Sequence, residues 1–126
     1  MYRLEGWRTH REINYTTKWD EYYRLWRGIW DSSDRLRNSE RSRIIAPALQ
    51  QAVESSVAEL EEATFGRGKW FDLQDNYLDQ DKSEAEYIRN LLQEDLEKTG
   101  VKDAIAEVFL NGAIYGTGIA KIVVNQ

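Results

Sequence analysis

Three glycines at Gly112, Gly116 and Gly118, in the stretch NGAIYGTGIAKIVVNQ, have the kind of spacing that can cradle a phosphate. A phosphate loop runs strand, glycines, helix, because the anion rests on the free N–H groups of a helix N-terminus. Here the helical pattern comes first and the strand pattern last, and no Lys-Ser/Thr pair follows Gly118. The glycines are therefore expected to shape the backbone. Gly116 can take the left-handed conformation that ends a helix, and Gly118 can let the chain turn sharply into a strand. Gly112 can let another segment approach the helix closely.

The other reactive residue types form no working constellation. Asp72, Asp75, Asp79 and Asp81 crowd one stretch, yet no register supplies the glycine and the twelfth-position glutamate of an EF-hand loop. Ser55 and Ser56 lie on a helical pattern with no histidine or lysine in reach, so neither hydroxyl has an activating base. The single histidine, His10, makes a zinc site or a triad untenable, and with no cysteine there is no thiolate ligand or disulfide. No carboxylate sits in an apolar run that would raise its pKa for acid catalysis. The expectation is no enzyme, no cofactor, no metal and no small-molecule substrate.

Charge is divided unevenly. Net charge is −5; residues 1–45 carry ten Arg/Lys against seven Asp/Glu, and the remainder seven against fifteen. The basic part holds four of the five tryptophans. Arg with Trp can stack bases, but the same mixture is favoured at protein interfaces, and an acidic chain makes the interface the better reading. No residue can be assigned to nucleic-acid contact. An apolar fraction of 41% and no run of about 18 apolar residues argue against a membrane span.

The elements follow from periodicity. Residues 1–14 show no convincing period and read as an N-terminal arm, with residues 15–126 as a helical region. Trp19, Tyr22, Tyr23, Trp26, Ile29 and Trp30 form an aromatic helical stripe, opened by a Thr17/Asp20 capping box. DSSDRLRNSERSR, residues 31–43, reads as a connecting loop; its Arg35, Arg37, Arg41 and Arg43 belong to a solvated run of mixed charge. Ile45, Leu49, Ala52, Val53, Val57, Leu60 and Ala63 keep a helical period, with Pro47 either opening or kinking that helix and Gly66 at its C-cap. GKWFDL, residues 68–73, reads as a short strand. A second capping box, Ser83 with Glu86, starts a helix whose buried stripe should be Ile88, Leu91, Leu92 and Leu96, ending at Gly100. VKDAIAEVFLNGAIYG is apolar nearly all round, as a central helix is. GIAKIVV is a strand apolar on both faces except at Lys121.

The fold expected is mainly α with a small β component, an α+β arrangement of about four helices and two short strands. Two short strands are marginal as an independent sheet. The sheet is expected to be completed by a later part of a longer chain or by another subunit.

The ordered set of WDEYYRLWRG, RSRIIAPALQQAVESSVAELEEATFG with the following WF, KSEAEYIRNLLQEDLEK, and VFLNGAIYGTGIAKIVV resembles the N-terminal region of portal proteins. These are the head-to-tail connectors of tailed double-stranded DNA phages, and the short-tailed type is the most similar. The family's last block has the same alanine, aliphatic, Tyr-Gly-Thr-Gly ending that runs into a strand. The resemblance implies a homo-oligomeric ring, usually of twelve subunits, at one capsid vertex of the virion. DNA passes through its channel in packaging and ejection, while terminase, capsid and tail adaptor proteins dock on it. This region would be part of the outer wing, with stem, clip and crown later in the chain. The alternative is a stand-alone helical adaptor that binds a partner through the Trp/Tyr stripe.

Overall fold

A computed structural model describes residues 2–31, 46–73 and 82–123, with the side chains of Lys82 and Ser83 outside that description. The described protein is mainly helical: α1 (Tyr2–Arg11), a π turn (Glu12–Thr16), α2 (Thr17–Arg27), α3 (Ala48–Phe65), α4 (Lys82–Lys98) and α5 (Val101–Tyr115).

The arm is not irregular. Residues 2–27 form one rod, on the order of 39 Å long at the α-helical rise. Its first ten residues lack a clean period because every one of them is exposed, so no face is selected. The Thr17/Asp20 capping box does not form. Thr16 and Thr17 are both in helical conformation inside the rod, so there is no terminus there to cap. The rod ends at Gly28 (φ 67°), whose N–H reaches the Arg24 and Leu25 carbonyls, and Ile29 and Trp30 fall beyond this cap.

Pro47 opens α3 rather than kinking it, and its carbonyl accepts the Gln51 N–H at 3.0 Å. Gly66 is the C-cap, but in right-handed conformation (φ −63°). Ile45, the 32–43 part of the predicted loop and the Ser83 end of the second capping box lie outside the described residues. Gly100 (φ 69°) separates α4 from α5, as the sequence predicts.

α5 contacts α2, α3 and α4, and α2 also contacts α3, which bears out the central position expected of an all-round apolar helix. The core is nevertheless thin. Among the described residues only Val53 and Val57, both on α3, are buried apolar side chains.

α4 departs from expectation. Ile88, Leu91 and Leu92 are exposed, and only Leu96 of the predicted stripe is partly covered. The inward face is instead Ala85, Arg89, Gln93 and Leu96, and Arg89 is only 6% exposed. Polar bonds fix this rotation. The Gln93 amide donates to the Gly68 carbonyl at 2.8 Å, and Arg89 faces Glu86 at 3.3 Å and Asp72 at 3.9 Å. The segment after α3 thereby lies along the polar side of α4, and the leucines point outward.

No strand occurs among the described residues. Of the two predicted strands, GKWFDL (68–73) and GIAKIVV (118–124), the described residues 69–73 and 118–123 run without regular structure. A strand exists only with a ladder partner, and neither segment has one here. The first is held instead by side chains: Trp70 meets Phe65 and Phe71 edge-on, with ring centroids 5.4 and 4.9 Å apart.

Candidate interaction surface

The glycines near the C-terminal ribbon act on the backbone. Gly116 (φ 81°) ends α5, its N–H bonding the Gly112 carbonyl at 2.9 Å. Gly118 then folds the chain back onto the helix so tightly that a Cβ there would strike the Val108 carbonyl oxygen, and would lie 2.8 Å from Val108 Cγ1. Close approach was expected at Gly112, but a Cβ at Gly112 would sit an ordinary 3.9 Å from the Gly118 nitrogen. The tight contact belongs to Gly118.

Once past that contact the ribbon is bare. Ile119, Ile122 and Val123 are 87%, 91% and 66% exposed. Burying an aliphatic side chain of this size is worth about 1.5–3 kcal/mol, so three within five residues leave a substantial apolar surface uncovered among the described residues.

Beside the ribbon lies an open groove of about 880 Å³, walled by Tyr15, Trp19, Tyr23, Tyr115 and Ile119, with Asp20 and Arg11 among its polar lining. The π turn builds one of its walls. An extra residue in the helical turn re-registers the side chains that precede α2. Tyr15 then stacks on Trp19 with centroids 5.7 Å apart and planes at 30°, and His10 tilts against Tyr15 at 5.9 Å. Asn14 supports the turn by donating its amide to the His10 carbonyl at 2.8 Å. Faces of Trp and Tyr with a few polar atoms at their edges suit a protein partner.

The residues weighed for chemistry are scattered. The Ser56 hydroxyl donates to the Ala52 carbonyl at 2.9 Å, one turn back along α3, and Ser55 is exposed. His10 packs with Asn14 and Tyr15, on the rod. Asp72 accepts the Leu73 N–H at 3.0 Å, while Asp75, Asp79 and Asp81 lie outside the described residues, as do the four loop arginines. Among the described residues no three His, Cys, Asp or Glu side chains are grouped to hold a metal ion, and no helix is long and apolar enough to cross a membrane.

Sequence reasoning missed two participants. Tyr15 stands four residues before Trp19 and could have been added to the stripe on spacing alone. Arg89 gave no such signal, since a lone arginine between Ile88 and Leu91 reads as solvent-facing. Its Nε and the indole N–H groups of Trp26 and Trp70 are buried without a hydrogen-bond partner among the described residues. Each such orphan costs about 1–3 kcal/mol.

Compared with protein families, curated proteins and solved structures, the chain matches none.

Proposed function

We propose that this chain is a wing region of a portal protein, a structural subunit of a ring at one capsid vertex. Double-stranded DNA passes through that ring in packaging and ejection. The observation that carries the reading is the bare apolar ribbon, with Ile119 and Ile122 about nine-tenths exposed, directly after a helix ended by Gly116 and Gly118. That is the last of the four blocks whose order carries the resemblance to portal proteins. In an assembly the ribbon gains a ladder partner and becomes a strand, which supplies the small β component absent from the described residues. The subunit does no catalysis. It is assembled in the host cytoplasm, resides in the virion, and offers docking surfaces to terminase, capsid and tail adaptor proteins. The acidic balance of residues 46–126 suits a conduit that does not grip its cargo.

The test is electron microscopy of the product of the complete reading frame. Class averages showing closed rings, twelvefold by family resemblance, are expected; a monodisperse monomer at micromolar concentration would contradict the reading. A second reading is favoured by the aromatic groove: a helical adaptor that seats a partner against Tyr15, Trp19 and Tyr23. It predicts a monomer with one cooperative unfolding transition and no rings.

A further inference from the structure

α1 has no packing partner within the described chain. It contacts only the π turn that follows it, and Leu4 and Trp7, one turn apart on the same face, are each 68% exposed. Elsewhere an open groove of about 600 Å³ runs between α3 and α5, lined by small and apolar side chains including Ala52, Ser56, Leu60, Phe109 and Ala113, with no ionisable side chain in its lining. Small residues on a groove floor admit large side chains from outside.

Charge selects the occupant. α1 carries Arg3, Arg8 and Arg11 against one Glu5, whereas α3 carries Glu54, Glu59, Glu61 and Glu62 and no Lys or Arg. Glu59 lies next to Leu60 and three residues from Ser56, which places it at the rim of the groove. An apolar knob beside Arg3 thus matches an apolar hole with Glu59 at its rim, and both are on one chain. Arg8 is already paired with Glu12, and Glu61 and Glu62 line a separate groove beside Lys102. The rod carries α1 away from its own α3: α2 is the part of the rod that touches α3 and α5, and α1 touches neither.

We infer that α1 of one copy docks in the α3–α5 groove of a second copy, with Leu4 and Trp7 in the groove and Arg3 against Glu59 of α3. Two different surfaces meet, so the contact is head-to-tail and makes a ring when its rotation closes. The inference rests on the ring reading for that closure only.

The experiment places the photo-crosslinker benzoylphenylalanine at position 7, where it preserves an aromatic face, and mixes ¹⁴N- and ¹⁵N-labelled copies before irradiation. Mixed-isotope crosslinks to α3 or α5 peptides are expected; crosslinks within one copy, crosslinks elsewhere, or none overturn the inference. Arg3→Glu should weaken self-association roughly tenfold, and Glu59→Lys in the same chain should recover most of it. Unchanged association in Arg3→Glu, or no recovery, also overturns it. Circular dichroism checks that helicity survives, as it should for an exposed position that packs on nothing. Closed rings without the crosslink would sink this contact and leave the ring reading standing. The crosslink in open chains would do the reverse.

Discussion

α5 and α4 are both striped with apolar residues, and the protein treats them differently. α5 is contacted by α2, α3 and α4, and its apolar side chains are mostly half-buried. α4 turns Arg89 and Gln93 inward and leaves Ile88, Leu91 and Leu92 in solvent. A periodic stripe establishes that a helix has a face to cover, but not which neighbour covers it. α5 has three helical neighbours among the described residues, whereas the outward Ile88, Leu91 and Leu92 of α4 and the ribbon after α5 have no cover among them.

That contrast can be broken by substitution. The largest effect is expected from Gly118→Val, which drives a side chain into the Val108 backbone at the seam with α5 and should cost about 2–3 kcal/mol in thermal or urea unfolding. Val57→Ala should cost about 1.5–2 kcal/mol, since two buried methyl groups leave the α3 core. Gly112→Ala should stabilise by up to about 1 kcal/mol, because the helix gains propensity and the new Cβ meets only the Gly118 nitrogen at 3.9 Å. Leu92→Ala, on the outward face of α4, should change the unfolding of dissociated chain by less than about 0.5 kcal/mol while weakening assembly. Equal losses for Val57→Ala and Leu92→Ala in that dissociated chain would erase the distinction between the two helices.

The smallest effect is electrostatic. The Glu97 carboxyl is held below the usual carboxylate range, first by the Gln93 side-chain hydrogen bond and then by Lys102. A depressed carboxylate adds stability at neutral pH that is lost as pH falls through its folded pKa. The Lys98 ammonium is held above its ordinary range by its hydrogen bond and charge attraction to Glu94, so its contribution is complete at neutral pH and lost as pH rises through the folded value. Both groups are exposed, so melting temperature against pH should show only a slight acid-side loss, smaller still in Gln93→Ala.

Much of the helical layout was legible. The Gly100 and Gly116 ends and the central place of α5 follow from local chemistry that needs no neighbour. Pro47 was legible as an opener or a kink, whereas the Gly28 end cuts short an aromatic stripe that runs on to Trp30 in the sequence. The illegible parts were those set by a partner or by its absence. The arm's helix has no buried face to print a period on the sequence. The π turn replaces a capping box that would otherwise be plausible at Thr17. The rotation of α4 is fixed by one amide and one guanidinium reaching across to the segment after α3. Strand propensity in GKWFDL and GIAKIVV was real as composition, but a strand also requires a ladder. As for the surface, the aromatic stripe was visible from Trp19 onward, whereas its meeting with Tyr115, Thr117 and Ile119 depended on the fold.

Hydrogen–deuterium exchange on particles formed by the product of the complete reading frame tests most directly whether the bare ribbon is an assembly surface. The account predicts that amides of residues 119–123 are strongly protected in the particle and exchange freely once it is dissociated. Free exchange in both states would contradict it.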